Sequence, residues 1–201
     1  GVAFSAVAAF GGGGLTFAVN SLRSMPTPPR PHPNAYWATP LLLATEYPGD
    51  RDPTVAAAKL DVLLAAGIRE FVDLTHPHEL VPYEILLYER AAAAGLPPGA
   101  VGYRRLPIQD MGVPDAARLD EILAALHAAE VAGRPAAVHC WGGIGRTGTV
   151  VGCYLVRHGG APTGEAALAH IAQEWATIAK RDRFPESPQT PAQRALVRGV
   201  R

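Results

Sequence analysis

The sequence predicts a single α/β domain: a central mixed sheet that carries parallel strands and is flanked by helices. Three observations support this. Short apolar runs alternate with longer segments of helical periodicity, the pattern of strands joined by covering helices. At 201 residues the chain can bury one good core but not two. The apolar run PAAVH leads directly into HCWGGIGRTG (139–148), a glycine-rich turn entering a helix. That is the carboxyl end of a strand, where open α/β sheets bind their ligands.

The elements follow in order. YWATPLLLATEYPG (36–49) is mostly apolar and reads as one or two short edge strands ending at Pro48-Gly49. In the next helix Asp52 caps, Pro53 occupies the first turn and Gly67 closes, with Val55, Leu60, Leu63 and Leu64 at helical spacing. IREFVDLT (68–75) is a buried strand, PYEILLYERAAAAG (82–95) a second helix, and AVGYRRLPI (100–108) a further strand. The loop QDMGVPD runs into a long helix from about Pro114 to Ala132, and residues 135–139 form the strand before the glycine-rich turn. Helical stretches are expected at 146–158, 163–180 and about 191–198. There are no internal repeats.

Composition narrows the function classes. Eighteen basic residues balance eighteen acidic ones, so no overall field favours nucleic acid or an anionic membrane, and any anion specificity must be local. Neither nucleic acid nor membrane is an expected partner, and a monomer is expected. Two cysteines, Cys140 and Cys153, make no disulfide framework and have no metal-ligand spacing; the expectation is no metal, no cofactor and a reducing, cytoplasmic compartment. No apolar stretch approaches the roughly 20 residues that span a bilayer. Residues 1–33 read as an N-terminal extension, disordered or not native, before a catalytic domain at 34–201. Within that extension Met25 is the expected translation start, and MPTPPRPHP reads as an extended lead-in of polyproline type.

The glycine-rich turn carries the chemistry. Gly142, Gly143 and Gly145 let the backbone turn tightly and bring successive N–H groups toward one centre. The following helix adds its positive end, and Arg146 a planar fork for two oxygens of a tetrahedral dianion. A thiol in such a cradle ionises readily, so Cys140 becomes a nucleophile next to the group it attacks. Thr147 can hydrogen-bond the sulfur and help it leave, while His139 organises the loop. The nucleotide P-loop is excluded, because Thr149 and no lysine follows Gly148. Tight packing around a buried thiol is the bland alternative.

VHCWGGIGRTGT resembles the H-C-x5-R-[ST] signature loop of cysteine-dependent protein tyrosine and dual-specificity phosphatases, and GTVVGCYLVRHG the helix after it in small atypical dual-specificity phosphatases. The likeness extends over roughly residues 36–198. It implies a phosphotyrosine phosphatase-like fold and metal-free hydrolysis of a phosphate monoester through a phosphocysteine. Trp141, Gly142, Gly143, Ile144, Gly145 and Arg146 would cradle the substrate phosphate.

Ester cleavage needs a proton donor. Asp110, in a stretch (DMGVP) that resembles the family's mobile acid loop, is the preferred one, although Ile108-Gln109 replaces the usual Trp-Pro. Asp115 competes but reads as a first-turn helix acid, and Asp73 as a structural hydrogen-bonder. QTPAQ resembles the family's water-placing segment, which assigns Gln189 and Gln193 to the second step; an ordinary polar helix start capped by Thr190 is the alternative. Cys153 reads as a core thiol, with a resolving partner for oxidised Cys140 as the sharper alternative. The substrate would be a phosphorylated protein or a small phosphate ester. No basic residue stands between Cys140 and Arg146, which disfavours phosphoinositides, while Arg104, Arg105, Arg181 and Arg183 are surface cations that could reach the mouth. THPHEL (75–80) reads as a rim loop.

Overall fold

Five four-residue strands form the sheet: β1 (Tyr36–Thr39), β2 (Leu42–Thr45), β3 (Glu70–Asp73), β4 (Gly102–Arg105) and β5 (Ala136–His139). The computed structural model describes residues 26–201. The spatial order is β1-β2-β5-β3-β4; β1 runs antiparallel to β2 and the other neighbours are parallel. This is the mixed α/β sheet expected. Side chains alternate between its faces. Leu42, Ala44, Val72, Ala136 and Val138 face one core layer, and Leu43, Phe71 and Ala137 the other.

Helices α1 (Pro53–Ala65) and α2 (Glu84–Ala93) cover the second face through Leu60, Leu63, Leu64, Leu87 and Ala91. The first face takes α3 (Ala116–Val131), α4 (Gly145–Tyr154), α5 (Gly164–Trp175) and α6 (Pro191–Gly199). Every residue of α4 is buried, so the helix that leaves the glycine-rich turn is packed on all sides. That burial fixes the direction of its positive end.

Most local signals act as read. Asp52 accepts from the Thr54 amide at 2.8 Å, with Pro53 as the first residue of α1. Asp115, expected inside the first turn, is instead the cap of α3: it accepts from the Arg118 amide at 2.8 Å, and the helix begins at Ala116 and not at Pro114. Thr190 and Gln193 close a capping box on α6.

Three expectations need correction. Of the two strands within 36–49 only β1 lies at a sheet edge; β2 pairs with β1 on one side and β5 on the other, because LLAT is buried on both faces. The stretch 163–180 is not one helix. It ends at Trp175, whose indole Nε1 donates to the Phe184 carbonyl at 2.7 Å, and the chain turns back over residues 176–183. The helix over 146–158 begins at Gly145 and passes into a π-turn at Leu155–Gly159. Residues 29–33, placed in the expected extension, make hydrogen bonds to the sheet and the turn after α5. The Trp37 indole donates to the Pro29 carbonyl at 3.2 Å, the Ala179 amide to the Pro33 carbonyl at 3.1 Å, and His32 Nε2 lies 2.8 Å from Thr45 Oγ1. Proline lacks a donor but keeps its carbonyl, so a proline-rich strap can still be tied down from the acceptor side. The expected start at Met25 lies outside the described residues.

Candidate active site

β5 is the middle strand of the sheet, and its end sets the site. His139 is its last residue, Cys140 follows with 4% exposure, and the chain turns into α4 at Gly145. Gly143 has φ +70°, and a Cβ there would stand 2.5 Å from the Thr45 carbonyl oxygen. Only glycine fits this corner. Gly145 is also close-packed, though against side chains: amide atoms of Gln193 and Gln189 come within 2.9 and 3.1 Å of where its Cβ would be.

The loop carbonyls are tied to groups around them. Cys140 O lies 3.3 Å from His139 Nδ1, Trp141 O accepts from the Tyr47 amide at 2.9 Å, and Gly142 O accepts from Lys180 Nζ at 2.8 Å. Ile144 O accepts from the Gly148 amide at 3.1 Å and Ser187 Oγ at 2.8 Å, and Gly145 O from Thr149 Oγ1 at 2.8 Å. A trans peptide points its N–H opposite its C=O. The amides that follow these carbonyls therefore face away from those partners. Among the described residues, none of the amides of 141–147 donates a hydrogen bond to protein. Such a row of unpaired donors, on residues that are buried from Gly143 onward, is suited to an anion that completes it.

Arg146 is 1% exposed, and its fork is held by a residue that sequence reasoning missed. Glu79, in THPHEL, takes Nη2 at 2.6 Å and Nη1 at 2.9 Å, while the Leu74 and Ile108 carbonyls lie 3.4 and 3.2 Å from Nη1. Burial alone would raise the Glu79 carboxyl, but the hydrogen bonds from Arg146 and the His76 amide outweigh it and hold the pKa down. The only signal in the sequence was an acid in a rim loop, with no local reason to associate it with Arg146. Arg146 Nε is buried and unpartnered. Asp110, half exposed, places Oδ1 3.1 Å from Arg146 Nη2. The expected acid and the expected anion grip thus border the same space. That space is a cavity of about 370 Å³ which Cys140, Trp141, Gln189, Lys180 and Arg183 also line.

His139 is fully buried below the loop. Tyr83 Oη lies 2.5 Å from its Nε2, and Asp73 Oδ1 3.9 Å from its Nδ1. With Nδ1–H directed at the Cys140 carbonyl, Nε2 accepts from Tyr83. Burial lowers the His139 pKa more than Asp73 raises it, so the ring is neutral. Asp73 itself accepts from the Thr75 amide and hydroxyl, Tyr103 Oη and Arg105. Burial pushes its pKa up, but the result lies below the ordinary value, and the hydrogen bonds from Thr75 and Tyr103 favour the charged carboxylate.

The remaining expected residues divide. Trp141 is 63% exposed and forms the rim. Gln189 borders the cavity, whereas Gln193 is fully buried: Oε1 accepts from the Gln189 and Thr190 amides, and Nε2 donates to the Gly112 carbonyl of the acid loop at 3.0 Å. Its amide is already engaged. The Thr147 hydroxyl is buried without a hydrogen-bond partner, so the expected bond to the Cys140 sulfur is not formed here. Cys153 is fully buried, and burial pushes its thiol up to about 12. Arg105 is committed to Asp73, and Arg183 reaches the cavity. Lys180, unremarked in the sequence, joins it there because of the turn after Trp175.

Comparison with known proteins agrees with this geometry. Residues 47–197 match the family model described as the Swiss Army Knife protein, DSP-PTPase phosphatase domain. A dual specificity protein phosphatase, CDC14AB of Danio rerio, is 38% identical over 65 residues, which are 32% of this chain and only 11% of that protein's length. The structure of Tk-PTP in the active form superposes with a TM-score of 0.62 at 23% identity, covering 82% of this chain and 94% of that one. PTPMT1 in complex with PI(5)P does so at 0.59 and 19%, covering 82% and 92%. At such identities the structural likeness speaks for the fold. No helix among the described residues is long and apolar enough to cross a membrane. The family match runs through β5, the cradle and α6, and the chain belongs to the DSP-PTPase phosphatase domains of the Swiss Army Knife type, a family of cysteine-dependent phosphatases.

Proposed function

We propose that the chain hydrolyses phosphotyrosine, and phosphoserine or phosphothreonine, in proteins through a phosphocysteine. The observation that carries this reading is the row of unpaired amides over residues 141–147, with Cys140 at its start and the Arg146 fork at its end. The Cys140 thiolate attacks phosphorus while Asp110 gives its proton to the leaving oxygen. Asp110 then takes a proton from the water that attacks the phosphocysteine; phosphate leaves and the thiolate is restored. Gln189 is the better placed of the two glutamines to hold that water, since Gln193 is spent on the helix cap and the acid loop. The unpartnered Thr147 hydroxyl is a donor within the same turn for the departing sulfur. No metal or cofactor has a role in these steps.

Protein substrates are favoured by the surroundings of Trp141. Beyond it lies a second groove of about 730 Å³, bordered by Arg51, His78 and Val81, with room for chain flanking a phosphorylated residue. The same chemistry on an inositol phosphate or nucleotide is the second reading; Arg183 at the cavity favours it. A cytoplasmic monomer is our reading of two free cysteines in a charge-balanced chain.

Hydrolysis of p-nitrophenyl phosphate, unaffected by EDTA and abolished in Cys140→Ser, tests the reaction. Turnover that survives that substitution, or that needs added metal, rejects it. A panel of phosphopeptides and inositol phosphates then separates the two substrate classes by kcat/KM.

A further inference from the structure

The signature loop contains one peptide unit with little local restraint. Gly142 and Gly143 are adjacent, neither has a side chain, and Gly143 is already at φ +70°. Rotating the peptide plane between two glycines meets no Cβ on either side. Such a rotation would replace the Gly143 N–H by the Gly142 carbonyl, turning a donor for an oxyanion into an acceptor that repels it.

The neighbouring carbonyls are held by backbone amides or by groups of the loop and its helix, with Ile144 O also accepting from the distant Ser187 hydroxyl. Tyr47 N holds Trp141 O, Gly148 N holds Ile144 O, and Thr149 Oγ1 holds Gly145 O. Gly142 O differs. Its partner is the ammonium of Lys180, 38 residues further along the chain. Lys180 is itself anchored, with Nζ 2.5 Å from Glu46 Oε2 and a side chain only 16% exposed. Glu46 directly follows β2, and Lys180 sits on the turn that ends α5 early. The clamp thus joins the end of β2 to the turn after α5. A lysine tethered in this way has lost the freedom that makes surface pairs weak.

We infer that Lys180 is a positioning residue for the oxyanion cradle: it fixes the Gly142 carbonyl so that the Gly143 amide stays turned toward the phosphate. It acts through that amide and does not itself grip the scissile group. The inference rests on the phosphatase reading of the cradle and names a residue outside the signature motif that sets its geometry. Because Glu46 offsets most of its charge, its effect should follow the hydrogen bond more than the field.

Tungstate, an inorganic oxyanion of the right shape, is the probe. Its dissociation constant would be measured by calorimetry on the full chain carrying wild-type Lys180, Lys180→Met, Lys180→Gln and Lys180→Arg. Met removes donor and charge, Gln keeps a donor without charge, and Arg keeps both. Removing one oxyanion donor outright costs about 100-fold in rate, so a donor left free to rotate should cost about tenfold in tungstate affinity in Lys180→Met. Gln and Arg should stay within about threefold of wild type. The Gly143 amide proton should move downfield on tungstate addition in wild type and hardly at all in Lys180→Met, a readout that loss of general stability does not imitate. Tungstate affinity in Lys180→Met equal to wild type overturns the inference. So does a Gln variant as weak as Met, which would mean a field effect. Should Lys180→Met fail to fold, the Gln and Arg variants with the Gly143 shift decide alone. Loss of the phosphatase reading would appear separately, as p-nitrophenyl phosphate hydrolysis that ignores Cys140→Ser, and would leave the tungstate result standing.

Discussion

Glu79→Ala isolates what holds the arginine. Arg146 is 1% exposed and Glu79 supplies both of its carboxylate bonds, at 2.6 and 2.9 Å. Removing one partner of a buried pair costs about 3–5 kcal/mol, because the other charge is left uncompensated. Two features reduce that here. The Glu79 side chain is 21% exposed, and Asp110 remains 3.1 Å from Nη2 to take part of the charge. About 2 kcal/mol is then expected, which in a domain of this size lowers Tm by about 4–8 °C. Activity should suffer more than stability: a guanidinium displaced by even an ångström costs up to about 100-fold in kcat/KM. Melting curves and p-nitrophenyl phosphate kinetics on the same preparations measure both. The pH dependence gives a third check. The folded Glu79 carboxyl titrates below its ordinary value of about 4.5, so its contribution is complete above that pH and is lost as pH falls through the folded value. The gap between variant and wild type should therefore close in acid. A variant that melts with wild type at neutral pH and keeps its kcat/KM would refute the assignment of Glu79 as the arginine's anchor.

Three further outcomes are expected. Asp110→Asn should slow p-nitrophenyl phosphate turnover about 100- to 10,000-fold while leaving tungstate affinity within a few-fold, since it removes the proton donor and not the cradle. Equal losses in both would assign Asp110 to binding. His139 is buried neutral with its pKa pushed below 6.5, so the unfolded chain takes up the proton first as pH falls; wild-type stability should decline below about pH 6.5, and His139→Asn should flatten that slope. Denaturant melts at pH 5 and pH 7 compare the two, and parallel slopes count against it. Gly143→Ala places a Cβ 2.5 Å from the Thr45 carbonyl at positive φ, so a destabilisation of about 2–3 kcal/mol by chemical denaturation is expected. An unchanged midpoint would mean the corner is softer than its geometry indicates.

Chain order and residue type were enough for much of this protein. Asp52 and Thr190 cap because capping depends on residues within a turn of each other, and the loop from His139 to Arg146 is legible because its functional groups are contiguous. The family resemblance carried by VHCWGGIGRTGT is confirmed by the match over residues 47–197. The contacts of PRPHP were not legible, because the Pro29 and Pro33 carbonyls and the Arg30 and His32 side chains meet partners remote in the chain.

Glu79, Lys180 and the true position of Gln193 were decided by packing alone. Glu79 precedes Arg146 by 67 residues and Lys180 follows Gly142 by 38; the bonds depend on which strands are neighbours and where α5 stops. Both glutamines stand in one short motif, yet one borders the cavity and the other is consumed between the α6 cap and Gly112. Sequence determines what a group is and what its near neighbours can do with it. Only the closed fold determines which distant donor meets which acceptor, because hydrogen bonds and ion pairs act over a few ångströms of space and are blind to distance along the chain.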